Sequence, residues 1–276
     1  MADDPVTHDP TTDNPVTHDR VPALEVREIN KYYGGVHALA DVSFRAYAGE
    51  IVGLVGDNGA GKSTLIKVIS GAHEPDAGEI YVDGVRHRWR SPQDAIEAGI
   101  ETLYQDSGLA PDLTIGSNIF LGREKMRRGL LGRLGFVDQR AMEREALDDL
   151  KRVGISVPLS KRTVAELSGG QRQAVAIGRA ISWARKVILL DEPTNNIGAR
   201  QAIEVLDVMR SARAQGLAVI FISHTLPHVL DVTDRIVVMR LGRVVRDAPT
   251  TDFTAENLLS TITGLDELRP PSTSPA

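Results

Sequence analysis

Gly56-Asp57-Asn58-Gly59-Ala60-Gly61-Lys62-Ser63-Thr64 is the stretch on which the reading of this chain turns. Before it, Glu50-Ile51-Val52-Gly53-Leu54-Val55 reads as a short buried strand. After it, Leu65-Ile66-Lys67-Val68-Ile69-Ser70 carries a helical pattern closed by Gly71. Strand, glycine-rich turn and helix, in that order, are the setting in which G-x-x-x-x-G-K-[ST] cradles phosphate. Glycines let the backbone curl until successive N–H groups face one oxyanion. A helix starting near Lys62 aims the positive end of its dipole at the same point. Lys62 can reach the β- and γ-phosphates of a nucleotide, and the Ser63 hydroxyl can join a Mg²⁺ shell otherwise made of water and phosphate oxygen. The four fixed positions match by chance in roughly one chain in a hundred of this length, and the flanking elements make coincidence rarer still.

Two later strands feed the same kind of edge. Lys186-Val187-Ile188-Leu189-Leu190 is a continuous apolar run, as expected of a strand covered on both faces. Asp191 and Glu192 follow at its C-terminal end, where parallel α/β sheets bind ligands. Adjacent carboxylates on an extended chain point apart, so Asp191 can hold Mg²⁺ while Glu192 polarises an attacking water. Leu217 to Ile222 is the next buried strand and ends at Ser223-His224, so His224 is a candidate γ-phosphate contact. Between these elements Leu167-Ser168-Gly169-Gly170-Gln171-Arg172-Gln173 opens a long helix reaching about Trp183. Ser168 is placed as its N-cap, and the paired glycines expose further N–H groups. The chain thus carries a second helix start suited to an anion.

On the N-terminal side, Leu24 to Ile29 alternates as a half-buried strand, Lys31 to Gly35 reads as a turn, and Ala38 to Ala46 as a second strand. Tyr33 either packs on the core or stacks on a nucleotide base. Glu79 to Arg88 reads as a hairpin about Asp83-Gly84, Pro92 to Ala98 as a short helix, and Ile100 to Tyr104 as a strand ended by Gln105. From Asp106 to about Ala165 helical patterns replace strands, notably over Gln139 to Val153. Arg123-Glu124-Lys125-Met126-Arg127-Arg128 reads as a solvated face, with membrane head groups as the alternative. Arg200 to Gln215 is an amphipathic helix, and Arg235 to Val245 two short strands around Leu241-Gly242.

Composition sets the outer limits. The chain has 276 residues, no cysteine and a formal net charge of -5. Disulfides and thiolate metal sites are excluded, and no region carries the dense basic footprint of a nucleic-acid binder. No apolar run approaches the ~20 residues of a membrane span, and the acidic, polar start is unlike a signal peptide. Residues 1–22, with the repeat Asp4-Pro5-Val6-Thr7-His8-Asp9 and Asn14-Pro15-Val16-Thr17-His18-Asp19, read as a disordered tail, as do 266–276.

With these residues in view, Leu24 to Gly264 resembles the nucleotide-binding subunit of an ATP-binding cassette (ABC) transporter. Gly56 to Thr64 matches the family's Walker A loop, Leu167 to Gln171 its signature, Val187 to Glu192 its Walker B strand, Gln105 its Q-loop, and His224 its switch histidine. Tyr33 falls where the family has its base-stacking aromatic. The resemblance implies a P-loop α/β ATPase domain over 23–265, with an antiparallel β subdomain and an inserted helical subdomain at about 106–180. It implies ATP and Mg²⁺ as ligands, with Gln105 beside Ser63 and Asp191 in the metal shell and Lys62, Glu192 and His224 in catalysis. Two copies would sandwich two ATP molecules, Ser168, Gly169, Gly170 and Gln171 of each closing on the partner's phosphate loop. Membrane permease subunits would dock on the helical part at the cytoplasmic face, and a solute-binding protein would act indirectly.

Glu101 to Gln105 and Asn118-Ile119-Phe120-Leu121-Gly122-Arg123-Glu124 look like the monosaccharide importer branch, especially its single-cassette fructose- and ribose-type members. One departure stands out. Where many members carry Ala-Leu-Asp after Glu-Pro-Thr, this chain has Asn196-Ile197-Gly198, without the acidic group. The competing readings are an exporter ATPase and a soluble ABC-type regulator acting on nucleic acid or the ribosome.

Overall fold

A computed structural model describes residues 20–106, 108–155, 157, 163–195 and 197–265. Residues 1–19, with the N-terminal repeat, the C-terminal 266–276 and Asn196 lie outside the described residues.

The chain opens on an antiparallel pair, β1 (Leu24–Tyr33) and β2 (Val36–Ala46). Here the sequence reading needs correction: Lys31 to Tyr33 belong to the strand, and the turn is Gly34-Gly35 alone. Ladder pairing of Lys31 with Leu39, Tyr32 with His37 and Tyr33 with Val36 carries the strand four residues beyond Ile29, where the alternation fades. Next come β3 (Ile51–Gly56), the phosphate-loop helix α1 (Lys62–Ile69), the hairpin β4 (Ala77–Val82) and β5 (Val85–His87), α2 (Pro92–Ala98) and β6 (Ile100–Leu103). Pro92 at the first helical turn and a Ser91–Asp94 capping box start α2, and Gly99 in the left-handed region ends it.

A helical stretch follows: α3 (Ile115–Ile119), α4 (Leu130–Arg133), α5 (Gln139–Arg152) and α6 (Gly169–Trp183). Asn118, fully buried, organises its entry by accepting from Ala110 N–H and donating to three backbone carbonyls. The remainder alternates again: β7 (Val187–Asp191), α7 (Ala199–Ala214), β8 (Ala218–Ile222), α8 (Leu226–Val232), β9 (Arg235–Arg240), β10 (Arg243–Pro249) and α9 (Ala255–Thr263). Neither α8 nor α9 was expected from the sequence. Pro227 in the first turn starts α8, and a Thr254–Asn257 capping box starts α9.

Two sheets result. One has four strands in the order β2-β1-β4-β5; the other has six, in the order β10-β9-β3-β8-β7-β6. In the second, β9, β3, β8, β7 and β6 are parallel and β10 is the antiparallel edge. Its central strands β3 and β8, and β7 up to Asp191, carry only apolar residues and glycine because both faces are covered. Side chains alternate between two cores. Val52, Leu54, Val187, Leu189, Ile220 and Val237 pack with α1 and the four-stranded sheet. Ile51, Val55, Ile188, Leu190, Phe221 and Val238 pack with α5, α6, α7 and α9. A charge at Ile188 or Leu189 would enter one core or the other unpaired, and even truncation to Ala would cost ~2–5 kcal/mol.

The topology fixes where chemistry can occur. Parallel pairing aligns Leu54 with Ile222, Ile222 with Asp191, and Leu190 with Leu103. The C-terminal ends of β3, β8, β7 and β6 therefore emerge side by side, carrying the phosphate loop, Ser223-His224, Asp191-Glu192 and Gln105.

Candidate functional site

A cavity of about 860 Å³ opens at that edge. All of Gly56 to Thr64 lines it, with Gln105, Glu192 and His224. Val36, His37, Ala38, Leu241 and Gly242 complete the wall. Those five went unnoticed in the sequence as site residues because the strand ends that carry them look like ordinary hairpin turns.

The phosphate loop is held by its own backbone and by glycine. Gly61 sits at φ 101° as the N-cap of α1, and a Cβ there would lie 2.8 Å from the Ala38 carbonyl oxygen. At Gly56 a Cβ would collide with the Met239 carbonyl oxygen. The Lys62 ammonium spans the loop, donating to Gly56 O at 2.7 Å and Asp57 O at 2.9 Å. Burial lowers the Lys62 pKa, against the opposing charges of Glu192, Asp191 and Asp57. A buried cation facing carboxylates is suited to a polyanion that shares the site.

The two carboxylates diverge. Asp191 ends β7 as a buried residue. Burial, then the neighbouring Glu192 charge, raises its pKa, while Lys62 pulls the other way. Glu192 faces the cavity from a left-handed backbone at φ 52°, a conformation that costs a non-glycine residue ~1–2 kcal/mol. Its N–H donates to Ile222 O at 3.0 Å, its carbonyl accepts from Asn195 N at 3.1 Å, and the Asn195 amide donates to Oε2. His224 Nδ1 lies 3.3 Å from Glu192 Oε1. Nothing in the local sequence foretold the strained φ; it follows from turning the chain sharply at the end of a buried strand.

Donor chemistry here fits a hydrated divalent cation. Ser63 offers a hydroxyl on the cavity wall and Asp191 a carboxylate close enough to feel the Lys62 charge. Among the described residues no group of three or more His, Cys, Asp or Glu is gathered to hold a metal unaided. A Mg²⁺ ion with few protein ligands and a shell of phosphate and water matches such a site.

Two groups of sequence-named residues stand apart from this cavity. Tyr33 is half-exposed and its ring meets His73 edge-on at 5.8 Å, although its ladder partner Val36 lines the wall. Beside it the Tyr32 and His37 rings stack at 4.0 Å. Ser168, Gly170 and Gln171 border a separate cleft with Arg200, Gln201 and Glu204 of α7. Ser168 caps α6 in a reciprocal box: Gln171 N–H donates to Ser168 Oγ at 3.3 Å, and Ser168 N–H to Gln171 Oε1 at 3.0 Å.

Strand, phosphate loop, helix and a distal strand ending in paired carboxylates define a P-loop nucleotide-binding cassette. Residues 39–195 match the family model described as ABC transporter, and the chain belongs to that family. It is 43% identical to the fructose import ATP-binding protein of Rhizobium meliloti, over 89% of this chain and 95% of that protein. It is 44% identical to the xylose/arabinose import ATP-binding protein of Sulfolobus acidocaldarius, over 80% and 86%. A ribose import ATP-binding protein of Rubrobacter xylanophilus is 43% identical over 81% of this chain, which spans only 44% of that longer protein. Among solved structures, a nucleotide-free ATP-binding cassette from an ABC transporter superposes with TM-score 0.74 at 27% identity, covering 90% of this chain and 99% of the other. A dimeric post-hydrolysis cassette bound to ADP and Pi gives 0.69 at 25% identity, covering 82% and 98%.

Proposed function

We propose that this chain is the ATP-hydrolysing subunit of an importer for a monosaccharide. The carrying observation is the near full-length likeness to the fructose protein, joined to a cavity that gathers the phosphate loop, Gln105, Glu192 and His224 on one sheet edge. In this reading the loop N–H groups and Lys62 bind the β- and γ-phosphates, with Gly59 and Ala60 in the wrap and Thr64 in the first turn of α1. Ser63, Asp191 and Gln105 hold Mg²⁺, which neutralises phosphate charge when bound. Glu192 accepts a proton from the attacking water, and His224, hydrogen-bonded to it, orients that carboxylate and touches the γ-phosphate. Tyr33 stacks on the base from the end of β1.

A second copy completes the arrangement. Ser168, Gly169, Gly170 and Gln171 of each chain close on the phosphates held by its partner, a role compatible with their separation from the chain's own cavity and with the dimeric cassette structure. The helical stretch at about 106–180 docks on membrane permease subunits at the cytoplasmic face, and a solute-binding protein delivers the sugar to them. No helix among the described residues is long and apolar enough to cross a membrane.

The test is ATP hydrolysis by the wild type and Glu192→Gln, with light scattering to follow ATP-dependent dimerisation. Expected is a loss of turnover of about 100-fold or more, within the range for losing a general base, with an ATP-bound dimer accumulating in the variant. Undiminished hydrolysis would overturn the assignment of Glu192.

A further inference from the structure

We propose that the hairpin from Lys125 to Val137 rests directly on an anionic lipid bilayer. Four cations fall in this stretch, Lys125, Arg127, Arg128 and Arg133, and no carboxylate, in a chain whose net charge is -5. Every other residue in it is glycine or apolar.

The hairpin is a built element. Met126 pairs with Val137, Arg127 N–H donates to Phe136 O at 2.8 Å, and Asp138 N–H donates to Lys125 O at 2.6 Å. The short helix α4 forms its tip, where a Cβ at Gly132 would collide with the Arg127 carbonyl oxygen. Its root is fastened to the body. Arg123 pairs with Glu101 at 2.5 Å and lies 4.5 Å over the Trp183 ring, and the Lys125 ammonium pairs with Glu145.

Beyond the root the cations have no ion-pair partner among the described residues, and Arg127, Arg128 and Arg133 are exposed. So are the apolar side chains: Leu130 at 72%, Leu134 at 65%, and Phe136 and Met126 at 52% each. The arginines are thus solvated, as their charge suggests, but they frame an apolar tip that water solvates poorly. Cations around Leu and Phe, without hydroxyls, amides or acids, match the head-group and acyl boundary of a bilayer. The hairpin's only hydrogen-bonding side chains are its cations, Lys125, Arg127, Arg128 and Arg133, and a lipid phosphate is the acceptor that such a set pairs with without needing charges of both signs.

The contact needs neither nucleotide nor permease, so its failure would leave the transport reading intact. The purified chain is floated with phosphatidylcholine vesicles, with and without ~30% phosphatidylglycerol, at low and high salt. Expected is binding only to the anionic vesicles, weakened by salt. The triple variant Arg127→Glu/Arg128→Glu/Arg133→Glu should bind at least ~100-fold less, since each lost surface cation is worth about fivefold. Leu130→Asn/Leu134→Asn should bind less while retaining the salt response. Circular dichroism and nucleotide binding verify that both variants fold. Absence of wild-type binding to anionic vesicles would overturn the proposal. So would binding undiminished in the triple variant, or a hairpin needed only for retention of the permease in detergent.

Discussion

Two glycine-rich helix starts in this chain look alike as sequence and behave differently as structure. At α1 the N-cap is Gly61, no side chain caps the helix, and the loop wraps a cavity. At α6 the N-cap is Ser168, and a reciprocal box with Gln171 occupies the free ends. The first start has no side-chain cap and faces the cavity that the proposed nucleotide would fill. The second satisfies itself until something better approaches, as expected of half a site completed by another molecule. Their glycines differ accordingly. Gly61 is needed for its conformation, at φ 101° against the Ala38 carbonyl, whereas Gly169 has no neighbour within 4 Å of a Cβ.

Alanine at each of these glycines should separate the two starts most strongly. Gly61→Ala forces a left-handed alanine against backbone at a cost of ~1–3 kcal/mol, which should weaken nucleotide binding by about 5- to 150-fold and lower the melting temperature. Gly169→Ala should leave both unchanged in the single chain, yet reduce hydrolysis if, as proposed, the second copy's α6 start closes on the phosphates. Titration with a fluorescent nucleotide, paired with thermal melts, checks this; equal losses of nucleotide affinity would erase the distinction drawn here.

Removing the cap is the next largest change. Ser168→Ala deletes the acceptor for Gln171 N–H while keeping the backbone N–H that donates to Gln171 Oε1, so stability should fall by ~1 kcal/mol in urea. Nucleotide affinity of the isolated chain should not move, while turnover drops at least tenfold if the hydroxyl meets a partner's phosphate. A shift in affinity would mean that the α6 start belongs to the chain's own cavity.

What could be read in advance follows the same division. The strand–loop–helix around Gly56 to Thr64 and the apolar run of β7 were legible because local pattern and final environment agree: both faces of the sheet are buried, and the loop chemistry is written in glycines. Gln139 to Arg152 declared itself through Met142, Ala146 and Leu150, all buried on one side of α5. The end of β1 was misread because Tyr32 and Tyr33 are about half-exposed, so their strand is imposed by pairing with His37 and Val36 and not by alternation. The wall contributed by His37, Leu241 and Gly242 comes from hydrogen bonds between distant turns, Gly242 N–H to Ala60 O at 3.1 Å and Ala40 N–H to Gly242 O at 2.8 Å. Contacts so remote in sequence leave no local trace. Glu192 was recognised as a carboxylate, but not its left-handed backbone, which depends on the β8 carbonyl at Ile222.

The carboxylate beside the first start offers a pH test. Burial holds the Asp191 pKa above the usual range, and Glu192 adds to the rise. The unfolded chain therefore releases this proton at lower pH than the folded chain does. Ionisation costs stability as pH climbs through the ordinary carboxylate range, and the cost persists above the folded pKa. Asp191→Asn should accordingly melt higher than wild type at pH 7, with the difference shrinking toward pH 3. A gap that is constant with pH would mean that Asp191 is not strained by its burial.

The smallest expected effect joins the two starts. Gly198 is the N-cap of α7, at φ -71° and ψ 161°, and no side chain caps that helix. Its Cβ position lies 2.6 Å from Gln201 Oε1, the movable end of a side chain whose stem packs against Gly170 of α6. Gly198→Asp therefore fits once Gln201 swings aside, and should stabilise by a few tenths of a kcal/mol as a better cap, about 1 °C in melting temperature for a chain of this size. The Gln201 stem fills the space that a Cβ at Gly170 would need, so the acidic side chain reaches the α6 start through Gln201. If the melt rises and the ATP dependence of hydrolysis stays as it was, the substitution acts as a cap alone. If the steepness of that dependence changes while nucleotide affinity at the α1 loop does not, the cap of α7 and the self-capped start of α6 work as one unit, coupled through Gln201.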